Sequence, residues 1–500
     1  VTAGRNVSVD LSSASLGAVT AGGDAVLRGG SIGAVSVTGQ KLLARADTLN
    51  IGKATSASDV YVVSLNGDAV VGSATAGDDV FVIANNGTAS LTNATLTGRA
   101  SDGVSFSLPN NPDANDNGRV VNVASNLDAR LGLGTGSITG ATAVGVQAAQ
   151  DAFVDLTGVL PGTFSETAGR DASLKAPTVS LDLVSAGRDL SIATSAGDFT
   201  LTRALVATRN ISIGAAGALR VGDVTAGSGS IVLTGSSVTG GVIDAAQDLS
   251  LKALTGGVQV ASYRAGRDLT LPGAGFSLGA SVGPVGRDLA IITPGDLTIT
   301  SDLMATRNIN LTVNGKATLG NLTAAAIDVV ANDLDFSGAV TAPTIQIESR
   351  LGALRVGGSA PDGAFSGLWL DNAEFGRLKA SGEVKLYAGP VLGTVRGDLT
   401  MLALNVNPAS TPVVTLLASS TNNVLVQGVA APTASGGALR IGDPVLPAWR
   451  PNSILVTGSI GSATFSGGAY SGIRAFDDVR LRATNDILMG SQRFITLIQA

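Results

Sequence analysis

The acidic side chains are the first candidates for chemistry in this sequence. Two pairs are adjacent in the chain, Asp78–Asp79 and Asp477–Asp478. Two carboxyl groups can act as acid and base in the hydrolysis of a glycosidic bond. Neighbouring residues of a strand point to opposite faces of a sheet, however, so neither pair has favourable geometry for a catalytic dyad. Carboxylates that converge from separate segments stay an open alternative.

The residue inventory excludes several other catalytic systems. The chain contains no His and no Cys. Ser–His and Cys–His nucleophile systems are therefore impossible, and zinc sites of the usual kind lose their ligands. A G-x-x-x-x-G-K-[ST] phosphate loop is also absent from the sequence. We therefore expect a protein that is not an enzyme and that carries no cofactor, with calcium as the one ion worth testing.

A polar segment at 101–130 contains the candidate calcium motif. Residues 113–118 spell DANDNG, which fits the first half of the loop pattern D-x-[DN]-x-[DN]-G. Asp113, Asn115 and Asn117 would supply the hard oxygen ligands that calcium prefers. The closing Glu of that pattern is missing, because position 124 is Ala. An ordinary Asn/Asp turn is therefore the competing interpretation.

Aromatic residues make up only 4% of the chain, and both tryptophans lie in its last third. Exposed aromatic rings can stack on sugar rings, so this region is the candidate glycan site. The alternative is that these rings fill a wider part of the core or pack beneath loops. The candidate glycan contacts are Trp369, Tyr387, Trp449 and Tyr470.

A seven-residue word recurs along the chain and indicates the scaffold. It is AGRDLSI from Ala186 and AGRDLTL from Ala265, and it returns as ATRNISI and ATRNINL. From Ala168 to Ala305, successive words begin 18 to 21 residues apart. A period near 20 is too short for a pair of helices and suits one coil of a solenoid.

Within each word, apolar residues alternate with polar ones, as Leu269 and Leu271 show. A period of two predicts a strand with one buried face. Short alternating runs between Gly, Ser, Asp and Asn predict an all-β parallel β-helix with coils of about 20 residues. At the corner, Gly266 would allow a positive φ, and Asp268 would bond to its own backbone.

The Arg and Asp of the word predict a charged outer column. Arg side chains such as Arg267 and Arg287 would lie on the outer surface beside a column of acids. Like charges stacked at the spacing of neighbouring strands repel each other. We expect the neighbouring Asp residues to relieve this repulsion, together with replacements such as Ser228 and Gln247.

A second echo extends the solenoid toward the C-terminal third. GALRVG occurs at 217–222 and 352–357, and GALRIG occurs at 437–442. Arg396-Gly397-Asp398 spells an integrin-binding tripeptide, but its context VRGDLTM is better explained as a decayed coil word. The predicted divisions are coils at 1–100, a polar insertion at 101–130, regular coils at 131–345, less regular coils with loop insertions at 346–475, and final coils, expected to be truncated, at 476–500.

Composition limits the possible partners. The net charge is −6 over 500 residues, and the sequence has no basic stripe, so nucleic acid is not an expected partner. A hydrophobic share of 44% is too high for a disordered linker. The sequence has no apolar run of about 18 residues that would span a membrane. Since the chain starts at Val1, we interpret it as a piece of a longer or processed protein.

The words AGRDLSI, AGRDLTL and AAQDLSL resemble the repeat regions of filamentous-haemagglutinin-like adhesins. These are large exoproteins of Gram-negative bacteria that are secreted through a partner outer-membrane transporter, and autotransporter passengers share the style. The resemblance is clearest over 165–345, recurs near 1–95 and covers about half the chain. It implies a right-handed parallel β-helix, an extracellular or cell-surface location, and a role in adhesion, biofilm or cell contact. The chain lacks the family's Asn-Pro-Asn-Gly motif and a barrel-like carboxy end.

The resulting hypothesis is a structural or adhesive rod that attaches through many weak contacts. Its partners would be host-cell or matrix glycans or proteins, or like cells, with the outer-membrane transporter engaged during secretion. Two alternatives stay open. One is a stalk or fibre subunit that self-associates, and the other is a β-helical polysaccharide lyase or hydrolase, since this fold also houses such enzymes.

Overall fold

The structure is a computed structural model, and its description covers the following residues: 1–97, 120–139, 141–158, 163–179, 181–201, 203–273, 275–281, 283–359, 365–392, 394–402, 404–406, 409–427, 431–432, 438–443, 447–449, 451–456, 478–481 and 486–489.

Strands dominate the structure, with 63% strand and 2% helix. Parallel pairing forms a β-solenoid of about 15 turns, and each coil takes about 20 residues. The prediction of an all-β parallel β-helix with this coil length is therefore confirmed. The chain divides into two units, Val1–Ala246 and Gln247–Ala500, and each is described by itself.

The strands of unit 1 are β1 Thr2–Ala3, β2 Val7–Ala21, β3 Ala25–Gly39, β4 Leu42–Ser56, β5 Val60–Ser64, β6 Ala69–Ala76, β7 Val80–Ala84, β8 Ala89–Leu96, β9 Val120–Ser125, β10 Ala129–Gly136, β11 Ile138–Thr139, β12 Ala143–Ala148, β13 Ala152–Leu156, β14 Thr163–Ala168, β15 Ala172–Ala176, β16 Leu181–Ala186, β17 Leu190–Thr194, β18 Phe199–Leu201, β19 Leu205–Ala207, β20 Ile211–Ala215, β21 Leu219–Val221, β22 Val224–Ala226, β23 Ile231–Gly235 and β24 Val238–Ala245.

The coil words of unit 1 stack in register. Leu190 of β17 pairs with Ile211 of β20, which in turn pairs with Ile231 of β23. These side chains are almost fully buried, while the residues between them face outward. Each such burial contributes about 1.5 to 3 kcal/mol. The period of the sequence is therefore the period of a stacked core.

The strands of unit 2 are β25 Leu249–Ala253, β26 Val258–Ala265, β27 Leu269–Pro272, β28 Phe276–Ser281, β29 Asp288–Thr293, β30 Leu297–Ile299, β31 Leu303–Met304, β32 Asn308–Val313, β33 Lys316–Leu319, β34 Leu322–Thr323, β35 Ala326–Ala331, β36 Asp333–Phe336, β37 Val340–Ser349, β38 Leu354–Val356, β39 Leu368–Leu370, β40 Leu378–Tyr387, β41 Leu399–Met401, β42 Asn405–Val406, β43 Val413–Leu417, β44 Val424–Val426, β45 Ala431–Pro432, β46 Ala438–Ile441, β47 Ser453–Val456, β48 Asp478–Leu481 and β49 Asp486–Met489. A short helix, α1, spans Asn372–Phe375, and a 3₁₀ turn spans Pro447–Trp449.

One column of aliphatic positions runs through unit 2 from the regular words into the C-terminal third. The register partners along it are Leu249, Leu269, Leu289, Ile309, Ile327, Ile345, Val384, Val414, Leu439 and Val479. The GALRVG and GALRIG echoes form β21, β38 and β46. The solenoid thus continues where the coil word has decayed, as the sequence predicts.

The glycine of the coil word does a different job from the one expected. Positive φ occurs at Gly197, Gly273 and Gly275 among others, but not at Gly266. At the equivalent Gly286, a Cβ would lie 1.8 Å from the carbonyl oxygen of Gly266 on the preceding coil. The prediction of a positive φ at Gly266 is therefore wrong. At Gly286 the neighbouring coil approaches too closely for a side chain, whereas the equivalent positions Thr208, Ala246 and Thr306 of other words carry one.

Candidate functional site

Charged pairs between coils are the most regular surface feature. In unit 2, Arg287 Nε donates to Asp268 Oδ1 at 2.9 Å, and its Nη2 pairs with Asp268 Oδ2. The same two-point contact recurs in both units. The pairs are Arg170–Asp151, Arg188–Asp171 and Arg209–Asp189 in unit 1, and Arg267–Asp248, Arg287–Asp268 and Arg307–Asp288 in unit 2. We call these six pairs the charge ladder.

Five of the six acids of the ladder also bind the backbone of the following coil, and the sixth, Asp288, accepts instead from the Asn308 side chain. Asp268 Oδ1 accepts the Asp288 N–H at 3.2 Å, and Asp171 Oδ1 accepts the Asp189 N–H at 3.2 Å. The expectation that Asp268 bonds to its own backbone is thus corrected. A side chain at this corner bridges two coils, since the backbone N–H that it accepts belongs to the stacked coil.

Ion pairing favours the charged form of these acids. Donation from Arg307 is the main cause that lowers the pKa of Asp288, and donation from Arg170 likewise lowers the pKa of Asp151. A lowered pKa contributes stability above the pKa of the unfolded state, and that stability is lost as the pH falls through the folded value. The Arg side chains are about half exposed, so each pair contributes little alone, and the value of the ladder lies in its repetition.

Two predicted sites fall wholly or partly outside the described residues. The candidate calcium ligands Asp113, Asn115 and Asn117 lie there, as does the candidate glycan contact Tyr470. Within the part of the chain that is described, no group of three or more acidic side chains is placed to hold a metal ion. The calcium loop therefore stays a prediction.

Trp449 and Tyr387, two of the candidate glycan contacts, pack against each other. Their rings meet edge to face with centroids 4.8 Å apart, and the Arg396 guanidinium lies 4.5 Å from the centre of the Trp449 ring. Both aromatic side chains are almost fully buried, and Leu417 packs with them. The glycan role stays a prediction for this pair, while packing beneath the neighbouring segment explains the observed burial.

Trp369 lies in a separate arrangement. Its indole N–H donates to the Gly357 carbonyl at 2.9 Å, and the Phe365 ring meets it edge to face at 6.2 Å. The Arg355 guanidinium lies 4.0 Å from the centre of the Phe365 ring and 5.4 Å from that of Trp369. Trp369 is half-buried. It is the one described candidate whose ring keeps access to solvent, and its glycan role stays a prediction.

The Arg-Gly-Asp tripeptide is used inside the coil stack. Arg396 Nη1 donates to the Pro390 carbonyl at 2.7 Å, and Asp398 Oδ1 accepts the Asn423 N–H at 2.8 Å. The following strand, β41, pairs in register with β38. These contacts support the interpretation of the tripeptide as a decayed coil word.

The adjacent acids Asp78 and Asp79 are both buried. Asp79 Oδ1 accepts the Val120 N–H at 2.9 Å, so Asp79 bridges segments as the acids of the ladder do. Of the other predicted pair, Asp477 lies outside the described residues and Asp478 begins β48.

A convergent acid group on the outer face of unit 2 was not predicted. Asp328 of β35 is the register partner of Gln346 on β37, whose Nε2 donates to Glu348 Oε1. Glu348 Oε2 also accepts the Val391 N–H at 2.7 Å. Burial, with the Glu348 charge as the second cause, raises the pKa of Asp328 to about 7. The alternation of IDVV and IQIES places these residues on one face, but only the register brings Asp328 and Glu348 to one place.

No helix in the described ranges has the length and apolar character that a bilayer crossing requires.

Comparison with protein-family models, with curated protein sequences and with solved structures finds no match to this chain.

Proposed function

We propose that this chain is a structural and adhesive stalk segment of a bacterial surface or secreted exoprotein of the kind that filamentous-haemagglutinin-like adhesins represent. The single observation that carries the proposal is the charge ladder. Its Arg and Asp side chains, which are the most regularly repeated charged groups of the coil word, bind the adjacent coil. The charged side chains of such a repeat therefore hold neighbouring coils together.

The ladder supports a stalk for a physical reason. In a solenoid each coil contacts only its neighbours, so the weakest interface between coils limits how well the whole array resists opening. The same Arg–Asp contact recurs at successive coils in each unit, for example at Arg188 in unit 1 and at Arg287 in unit 2. Each coil interface that carries one of these pairs is held by the same two-point contact, which suits a segment that must bear load.

Adhesion would come from many weak contacts and not from one tight site. Repeated weak contacts to host-cell or matrix glycans or proteins, or to like cells, add up through avidity. Export through an outer-membrane transporter, an extracellular location, a role in biofilm and self-association between copies belong to the same proposal. These parts of the proposal rest on the resemblance of the coil words to the repeat regions of filamentous-haemagglutinin-like adhesins.

The acid group at Asp328 and Glu348 favours one second candidate, a polysaccharide-active enzyme. A carboxyl with a pKa of about 7 keeps a proton near neutral pH and can act as a general acid. The neighbouring Glu348 would supply the second carboxyl group that sugar hydrolysis needs. Asp328 and Glu348 lie on neighbouring coils of one sheet face, which is the convergence that the sequence alone leaves open.

A panel of soluble and immobilised polysaccharides tests the two candidates together. We expect the chain coupled in many copies to beads to be retained on a subset of the immobilised polysaccharides. A single soluble copy should elute, because avidity needs several simultaneous contacts. The measurement is retention on the column together with the release of reducing or unsaturated ends.

Three results would contradict the adhesive stalk. Released ends that disappear in Asp328→Asn, but persist in the control variant Asp10→Asn on the exposed face of β2, would establish the enzyme. Equal retention of the bead-coupled chain and of the single soluble chain would indicate one tight site instead of many weak contacts. Absence of both retention and release would remove the adhesive part and leave a purely structural stalk.

A further inference from the structure

A column of outward-facing residues in unit 1 carries a polar group in an unusual place. The register partners on successive coils are Tyr61, Phe81, Asn122, Gly145 and Ser165. The Tyr61 and Phe81 rings are stacked with centroids 4.8 Å apart, and Val120 packs with them. The column therefore begins with two stacked aromatic rings and continues with the Asn122 amide, Gly145 and the Ser165 hydroxyl.

A pocket lies over Gly145 because that position has no side chain. A Cβ there would lie 3.0 Å from Asn122 Oδ1 and 3.8 Å from Ser165 Oγ. The space is a cavity of about 100 Å³. Exposed Gln147 and Thr163 form part of its rim, so the cavity is open on the solvent side.

The Asn122 amide lines this pocket and has no hydrogen-bond partner in the part of the chain that the structure describes. Its side chain is 0% exposed, and among the described residues neither Nδ2 nor Oδ1 has a hydrogen-bond partner. Leaving a buried amide unpaired is costly, so a group that satisfies both atoms would bind favourably. Because the amide is covered, it must rotate toward the space over Gly145 to meet a ligand, and no hydrogen bond from the described residues opposes that rotation.

The lining selects a neutral ligand with one amide and one small apolar group. None of the described residues that line the pocket is ionisable, and Val120 and Ala143 supply an apolar wall beside Asn122. An acetamido group offers one N–H, one carbonyl and one methyl, which match Asn122 Oδ1, Asn122 Nδ2 and that wall. It is also a terminal substituent, so it can enter a small pocket, whereas a peptide bond continues on both sides.

We propose that the pocket over Gly145 binds the acetamido group of an N-acetylhexosamine, with Asn122 as its hydrogen-bond partner and Gln147, Thr163 and Ser165 available to the ring hydroxyls. The proposal deepens the adhesive part of the proposed function and rests on it for the source of the sugar. It names one site in unit 1, far in sequence from the aromatic candidates.

Ligand-observed NMR with the full chain tests this directly. N-acetylglucosamine and N-acetylgalactosamine should show saturation transfer that is strongest at the acetyl methyl, while glucose and galactose should show none at the same concentration. Asn122→Leu should weaken binding of the N-acetyl sugars by roughly tenfold or more, since it removes both hydrogen bonds. The matched control is Asn50→Leu, at an exposed position of β4, which should leave binding unchanged.

Thermal unfolding of the same variants keeps the test informative if Asn122→Leu affects folding. Replacing an unpaired buried amide by an apolar side chain of similar size should raise the unfolding temperature. A lowered temperature would show that the amide is already satisfied within the protein, and it would overturn the proposal.

Three binding results would also overturn the proposal. They are equal binding of glucose and N-acetylglucosamine, absence of binding by the N-acetyl sugars, and binding of N-acetylglycine methylamide as tight as that of the sugars, which would indicate a peptide ligand. The monosaccharide test is separate from the polysaccharide panel. Saturation transfer without polysaccharide retention would contradict the adhesive stalk and support the pocket. Polysaccharide retention without saturation transfer would support the stalk and contradict the pocket.

Discussion

Raising the pH from 5 to 8 is expected to destabilise unit 1 around Glu166, and the variant Glu166→Val is expected to remove that effect. Glu166 of β14 is 0% exposed, and its register partners are Val146 and Val184 in the core column. Burial raises the pKa of Glu166 to about 8, and the backbone of Ser173 offsets this only in part. The carboxyl is therefore held in its protonated form among aliphatic side chains.

The direction of the effect follows from proton binding. The unfolded carboxyl ionises near its ordinary pKa of 4.5, while the folded one keeps its proton up to about pH 8. Between these values the folded state binds more protons, so stability is complete below the unfolded pKa and falls as the pH rises. The difference between the two pKa values corresponds to roughly 4 to 5 kcal/mol.

Urea denaturation with pulsed hydrogen exchange and mass spectrometry measures this effect locally, at β12, β14 and β16. In the parent chain, the urea concentration at the midpoint for these strands should decrease as the pH is raised from 5 to 8. In Glu166→Val this midpoint should not change with pH, and the variant should be more stable than the parent at pH 8. Asp10→Val, at an exposed position of β2, is the control and should keep the parent's pH dependence. A parent chain whose midpoint rises with pH would contradict the assignment of Glu166 as a buried neutral acid.

The variant Gly286→Ala is expected to destabilise unit 2 by about 3 kcal/mol, at the upper end of what overpacking costs. The added Cβ would lie 1.8 Å from the Gly266 oxygen and 2.5 Å from its carbon. Those atoms are backbone, so no side chain can move aside. The coils must separate, and the bond from the Gly286 N–H to the Ala265 carbonyl, 3.0 Å long, would be strained.

Gly295→Ala is the matched control within unit 2. A Cβ at Gly295 would have no atom within 4 Å, and its φ is not positive. That variant should be neutral or slightly stabilising, because alanine restricts the unfolded chain. The measurement is the urea midpoint of unfolding, compared between Gly286→Ala and Gly295→Ala. Equal midpoints would show that close approach is not the reason for glycine in the coil word.

The repeat scaffold was predictable because its signal is carried by many residues at once. Alternation within AGRDLTL and the period near 20 together predict strands that stack coil on coil, and Leu249, Leu269 and Leu289 do so. The role of each corner residue was not predictable. A glycine pattern is the same for a positive φ and for a close approach, because both require the absence of Cβ.

The candidate sites were less predictable because burial at the outer face depends on residues distant in sequence. Alternation in VVNVAS places Asn122 outward, but its burial beside Phe81 depends on register between strands about 40 residues apart. The same limit applies to Asp328 and Glu348. Trp449 could be assigned to an aromatic group from composition, whereas its packing against Tyr387 required the fold.

A disulfide scan of strand register is the most direct test that each coil word is one turn stacked on the next. The chain contains no Cys, so introduced thiols react only with each other. Ser191 and Ser212 are register partners at exposed positions of β17 and β20. Neighbouring strands lie about 4.8 Å apart, within the separation of Cα atoms that a disulfide spans.

Mild oxidation of Ser191→Cys/Ser212→Cys should therefore give an intramolecular disulfide, detected by mass spectrometry of the digested chain. The offset pair Ser191→Cys/Gly214→Cys should stay reduced, because two residues along the strand place the Cα atoms roughly 8 Å apart. A disulfide in the first pair alone is the result that a stacked coil of about 20 residues predicts. Cross-linking of the offset pair in preference to the register pair would contradict the stacked coil.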